Sequence, residues 1–209
     1  MEIMHETVSC FIRLKKSGVI IEHALDIGAY RGEFTNAIKS VWQKIEVQQF
    51  EADERQAEYL QDNAYIVVLA DAEKTVDIYT VEDTGWGSTT GTSMYKEKTA
   101  AYDNPIMKKV STKTLDDLVD LSADWEKGLV KIDTQGSELA ILEGAQQLLS
   151  KGPRYILLEA SIREYNEGAP KINDVINYMK DKGYQIHDIL DRVYINGLLY
   201  QANLFFEAQ

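Results

Sequence analysis

Apolar positions along the chain keep either a helical or a strand period for most of its length, and each change of period marks an element boundary. Val8, Phe11 and Ile12, with Lys15 on the same repeat, predict an amphipathic helix within residues 1–22, closed at Gly18. Residues 23–27 read as a short strand and residues 33–41 as a helix, with a glycine turn between them. Residues 47–50 give a second strand ending at Glu51, residues 53–63 a helix and residues 65–70 a third strand. Residues 76–81 alternate apolar with polar side chains, which predicts an additional half-exposed strand.

The pattern breaks at residues 84–97, where TGWGSTTGTSMYKE is rich in Gly, Ser and Thr, and the loop it predicts runs on to residue 107. Order returns with a strand at 109–112, a helix at 115–121, a buried strand at 129–132, a helix at 138–149 and a strand at 155–158 that ends at Glu159. A helix at 173–182 stops at Gly183, and strands at 184–189 and 203–207 close the chain. This alternation predicts an α/β fold, a mostly parallel Rossmann-like sheet with helices on both faces and a late antiparallel strand.

Composition and charge narrow the partners. A chain of 209 residues, 44% hydrophobic, can bury one core without disulfides, so one domain over residues 1–209 is expected. Its 22 Lys and Arg against 34 Asp and Glu leave a net charge of −12, which repels nucleic-acid phosphates. The runs at Arg13, Lys15 and Lys16 and at Lys108, Lys109 and Lys113 are too short to offset it. A lone Cys10 and the absence of zinc-site spacing fit a reducing compartment, so the expected location is the cytoplasm. The start, MEIMHETVSC, has acids where a signal peptide needs basic residues, and no apolar run has membrane-spanning length. The expected partner is a small molecule or glycan, with no nucleic acid and no membrane.

Candidate chemistry begins in ALDIGAYRGEFT, which sets Asp26, Gly28 and Gly32 at the junction of the first strand and the next helix. Gly28 lets the backbone turn tightly and approach a ligand, Ala29 and Tyr30 continue the turn, and Gly32 lets the helix start close beneath it. Glu51, at the end of the second strand, is placed to accept both hydroxyls of a ribose. This pairing defines a nucleoside site without choosing the nucleoside. Against NAD, the spacing lacks the three glycines of a dinucleotide fingerprint, and Tyr30 would crowd a pyrophosphate. For S-adenosylmethionine, Asp26 suits a ligand carrying an ammonium and a sulfonium. An NAD-linked oxidoreductase is the alternative, although its Tyr-x-x-x-Lys pair finds a counterpart only in Tyr178 and Lys182 of the late helix. A non-catalytic binding module on the same fold is another.

The motifs together resemble the FkbM family of methyltransferases, from Leu25 to the C-terminus. The segments that carry the resemblance are DIGAYRG, FEADERQ, TSMYKE, TKTLDDL, LVKIDTQGSELAILEGA, ILLEAS and the ending GLLYQANLFFE. KIDTQGSELAILEGA followed by LLEAS is far more specific than the glycine turn alone. The resemblance implies a class I methyltransferase fold, S-adenosylmethionine as donor and transfer to a hydroxyl oxygen, often of sugars or natural products. Tyr30, Gln135 and Asn203 depart from its commoner small or amide residue, Glu and Asp.

In an open parallel sheet the ligand sits beyond the carboxyl ends of the strands, where Asp26, Glu51, Asp71, Asp133 and Glu159 all fall. Asp71 reads as a partner for the adenine amino group or as a turn residue. Asp133 ends an apolar strand and is followed by Gly136, which makes it the candidate nearest the chemistry, with Glu159 as its partner across one pocket. A carboxylate there can act as base or can hold a cation that acidifies the hydroxyl. No third ligand is evident, so the expectation is metal-free. Lys131, on the same side of its strand as Asp133, reads as a salt bridge fixing the sheet. In the long loop, Trp86 and Tyr95 offer aromatic faces to an acceptor and Ser93 a hydroxyl.

Overall fold

A computed structural model of the protein describes residues 5–85 and 89–209. Helix α1 (His5–Lys16) precedes β1 (His23–Ile27), which turns through Gly28 into α2 (Glu33–Val41). Strands β2 (Glu46–Glu51), β3 (Tyr65–Ile66), β4 (Val68–Leu69), β5 (Thr75–Thr80), β6 (Ile106–Lys113) and β7 (Gly128–Ile132) follow. Then come α3 (Glu138–Glu143), α4 (Gln146–Ser150), β8 (Tyr155–Ser161), α5 (Ile172–Asp181), β9 (Tyr184–Ile195) and β10 (Leu198–Ala208). A seven-stranded sheet has the order β3-β2-β1-β7-β8-β10-β9. It is parallel as far as β8 and antiparallel at β10 and β9. β4, β6 and β5 form a three-stranded sheet of their own. The α/β class and the late antiparallel strand are as the sequence predicts.

Strand alternation divides the core between the two faces of the large sheet. Ala24, Val47, Leu129, Leu157 and Phe205 point to one side, where Phe11 of α1 and Phe34, Ile38 and Trp42 of the α2 segment cover them. Leu25, Val130, Ile132, Ile156, Leu158 and Leu204 point to the other, against Ile141 and Leu142 of α3, Leu148 of α4 and Val175 and Met179 of α5. Each Leu, Ile, Val, Phe or Met side chain among them, fully buried, contributes about 1.5–3 kcal/mol. Among the described residues no helix is long and apolar enough to cross a membrane.

Several predicted elements differ. Residues 53–63 form only a 3-10 turn, Glu54–Tyr59, started by the Asp53 carboxylate accepting the Arg55 amide at 3.1 Å. Residues 65–70 are split between β3, which extends the large sheet, and β4, which leaves it to pair with β6. Residues 115–121 are turns, because Asp116 is drawn across to accept the amides of Gln147 and Leu148 at 2.8 and 2.9 Å, capping α4. The helix predicted at 138–149 breaks at Gly144, where a Cβ would stand 2.2 Å from the Ala70 carbonyl oxygen. β9 and β10 run longer than predicted, joined at Asn196 and Gly197 with φ of 50° and 75°. The predicted loop gives way to β6 at Ile106, and its described residues are pinned by backbone bridges between Tyr79 and Ser93 and between Glu97 and Asn166.

Candidate active site

The carboxyl ends of β1, β2, β7 and β8 open on a cavity of about 680 Å³, a size that suits a cofactor and part of a second ligand. Its first half is built on the glycine turn. Gly28 has φ 73°, and a Cβ on it would lie 1.9 Å from the Asp133 carbonyl oxygen, so the turn after β1 and the turn after β7 meet there backbone to backbone. The amides of Gly28 and Ala29 donate to the Phe50 carbonyl at 2.9 and 3.0 Å, which ties the turn to the end of β2. Glu51 follows on the cavity wall. Its Oε2 accepts the Tyr30 amide at 2.7 Å and its Oε1 the Asp53 amide at 2.8 Å. Burial pushes the Glu51 carboxyl above its ordinary pKa, and those two amides pull against the rise. Phe50, Val68, Leu69 and Ile141 supply an apolar wall beside it.

Beneath the turn, Lys131 donates to the carbonyls of Gly28 and Ile27 at 2.6 and 3.2 Å. Its ammonium lies 3.3 Å from Asp26 Oδ1 and 3.9 Å from Asp133 Oδ2. Burial works against the charge, but Asp26 and then Asp133 outweigh it and hold the lysine above its ordinary pKa. Asp26 Oδ2 accepts the amide and the hydroxyl of Thr35 at 3.2 and 2.7 Å, in the first turn of α2.

The second half of the cavity carries two acids. Asp133 follows β7 with its side chain 38% exposed, and Glu159 stands near the end of β8. Gln135 bridges them, its Nε2 donating to Asp133 Oδ1 at 3.0 Å and to Glu159 Oε2 at 2.5 Å. Gln201 of β10 donates to the same Glu159 Oε2 at 3.0 Å. Burial, then the charges of Asp133 and Glu138, raise the Glu159 pKa well above its ordinary value. Glu138, itself buried, shapes the turn by accepting the amides of Thr134 and Gly136 at 2.9 and 3.0 Å. Gln135 is left in the left-handed region at φ 55°.

The FkbM methyltransferase domain matches the chain over residues 26–186. The chain belongs to this family. Its methyl donor is accordingly S-adenosylmethionine, and the oxidoreductase alternative has no support. An FkbM methyltransferase from Methylobacillus flagellatus KT is similar in structure, with a TM-score of 0.60 at 17% identity, covering 97% of this chain and 48% of that one. This chain thus spans about half the length of that neighbour. Magnesium protoporphyrin IX methyltransferase from Synechocystis PCC 6803 gives TM-scores of 0.51 with bound SAM and 0.50 with bound SAH, at 14% and 13% identity. Each alignment covers 97% of this chain, and 78% and 82% of the two neighbour chains. These likenesses establish the class I methyltransferase fold. No curated protein matches the chain.

In this FkbM domain, Gly28, Ala29, Tyr30, Glu51, Ser93, Asp133 and Glu159 of the predicted site residues line one cavity. Others stand apart from it. Asp26 is wholly buried under the turn, engaged with Thr35 and Lys131, and Gly32 begins α2. Asp71 is exposed and outside the lining; a hydrogen bond from Lys74 at 2.5 Å holds its carboxyl below the ordinary pKa. The Tyr95 ring is packed on Gly136, behind the wall it was expected to form. Trp86 lies outside the described residues. The salt bridge expected of Lys131 is present. The sequence reading missed Val193 of β9 on the wall and Gln201 of β10, which is outside the lining and reaches it through its hydrogen bond to Glu159. The Asn-Gly pair between two apolar runs is a hairpin signal and could have placed both strands.

Proposed function

We propose that the chain methylates a hydroxyl oxygen of a small molecule or sugar. The observation that carries this reading is the pair Asp133 and Glu159, bridged by Gln135, on the wall of one cavity with Gly28 and Glu51. The donor fits the first half of that cavity. Each Glu51 oxygen spends one lone pair on a backbone amide and keeps another for a ribose hydroxyl. Phe50, Val68, Leu69 and Ile141 form a slot of the chemistry a purine needs. When bound, the donor supplies a methyl group on a sulfonium, so that a carbon–oxygen bond forms as a carbon–sulfur bond breaks. The chain's own task is to align the acceptor and to take its hydroxyl proton. Glu159, whose pKa burial and the neighbouring acids raise well above its ordinary value, takes the proton, and Asp133 faces the positive end of the donor. Thr92, Ser93 and Asn203 offer hydroxyl and amide groups to the rest of the acceptor.

Calorimetric titration with adenosylhomocysteine tests the cofactor half. Wild type binds it and ignores NADH, and Glu51→Ala weakens binding by roughly 10- to 100-fold, the cost of losing charge-assisted hydrogen bonds. Unchanged affinity in a folded Glu51→Ala protein removes the ribose assignment. A panel of hydroxyl acceptors tests the other half: Asp133→Asn and Glu159→Gln keep adenosylhomocysteine affinity and each slow turnover by about 10²-fold or more. Turnover that survives chelation fits direct proton transfer, whereas rescue by magnesium or manganese puts a cation between the carboxylates. Cofactor binding with no product from any acceptor would favour a binding module.

A further inference from the structure

We propose that Gln135 and Gln201 are positioning residues that together hold Glu159 Oε2 and so leave Oε1 as the oxygen that takes the acceptor's proton. This rests on the O-methyl transfer proposed for the site. The two amide donors reach Oε2 from separate elements, Gln135 from the turn after β7 at 2.5 Å and Gln201 from β10 at 3.0 Å. A carboxylate oxygen has two lone-pair directions, and two N–H donors occupy both. A proton arriving on Oε2 would have to displace one of them. Oε1 accepts no hydrogen bond from the described residues, and it is not among the sealed, unpartnered buried atoms. It is therefore open on the cavity that Glu159 lines.

Both amides are themselves held. The Gln135 backbone carbonyl accepts the Ser93 hydroxyl at 2.9 Å, which fixes the residue from which the side-chain amide extends, and Ser93 is tied to Tyr79 by backbone bonds of 2.8 and 3.1 Å. The second N–H of the Gln135 amide is spent on Asp133 Oδ1. Gln201 is fixed by strand register: β10 pairs with β8 at Asn203–Glu159 and Gln201–Ser161, which sets Gln201 diagonally across from Glu159. The charged and titratable groups that act on Glu159 are Asp133, Glu138, Lys131 and, across the site, Tyr165. The amides oppose the two acids by favouring the ionised carboxylate.

Carboxyl ¹³C NMR of glutamate-labelled protein, with Glu159 assigned by its loss in Glu159→Gln, tests the proposal without an acceptor. In Gln201→Leu and in Gln135→Asn the Glu159 midpoint moves up by about one pH unit each, since each variant removes a hydrogen bond to the charged form. Asn tolerates the left-handed backbone at position 135 and is too short to bridge both acids, so this variant keeps the fold. Both variants bind adenosylhomocysteine as wild type does. A midpoint that stays put in both, whatever happens to their melting temperatures, assigns the amides to packing and overturns the proposal. Wild type failing to bind adenosylhomocysteine would instead overturn the methyl-transfer reading while the midpoint shift stood.

Discussion

Glu159 carries an ionisable group at the end of the apolar run Tyr155 to Leu158, and its surroundings determine when it is charged. Burial raises its pKa first, then Asp133 and Glu138, so the folded chain binds this proton more tightly than the unfolded chain. The stability that follows is complete below the ordinary glutamate value and is lost as pH climbs from there through the folded value. Glutamine at this position is neutral throughout. Glu159→Gln is therefore expected to raise the melting temperature at pH 8 and to change it little at pH 4, read by scanning calorimetry on the same preparation. A gain of equal size at both pH values would show that shape rather than charge is responsible. Glu51 and Glu138 are raised by burial too, so part of the slope remains in the variant. Asp26 differs from these acids. Its carboxylate is spent on Thr35 and Lys131, which explains why an acid read from its spacing as a ligand contact sits beneath the site.

Elements were legible in the sequence where both faces of a strand are buried by local apolar runs, and illegible where a distant group decides the outcome. β1, β7 and β8 read directly from HALDI, LVKI and YILL, and the acids at their ends marked the site. Leu115, Leu118 and Val119 have helical spacing, yet the segment turns because Asp116 caps α4 from 31 residues away. Asp116→Ala is expected to cost about 1 kcal/mol in urea unfolding, the usual loss of a capping carboxylate, with cofactor affinity unchanged. A loss confined to affinity would place Asp116 in the site instead. Gly144 is similar: nothing near it in sequence announces the Ala70 carbonyl that approaches it where α3 ends. The candidate site was legible to the same extent. Gly28, Glu51, Asp133 and Glu159 follow from strand ends, whereas Gln201 reaches Glu159 only through the β8–β10 register. Asp71 stands outside the lining because it lies two residues beyond β4, exposed and paired with Lys74, whereas Val68 and Leu69 of that strand reach the wall.

At the scale of the whole molecule, the charge of the cavity sets an expectation about acceptors. The cavity wall carries Glu33, Glu51, Asp133, Glu159 and Asp191 against Lys131, in a chain of net charge −12. Lys131 is occupied by Asp26 and two backbone carbonyls, which leaves it poorly placed to welcome an anion. A concave site of one sign raises the local concentration of ligands of the opposite sign and lowers that of its own. This field is expected to favour an S-adenosylmethionine sulfonium and to disfavour a phosphorylated or carboxylated acceptor. Paired acceptors that share one hydroxyl scaffold, one neutral and one bearing a carboxylate, make the test. With adenosylhomocysteine release as the readout, kcat/KM for the neutral member is expected to exceed that of the anionic one by about tenfold or more at low salt. The gap should narrow as salt shortens the screening length to about 8 Å at physiological strength and further beyond it. Preference for the anionic member would mean that a cation reaches the acceptor, and Lys131 would have to be released from Asp26 to supply it.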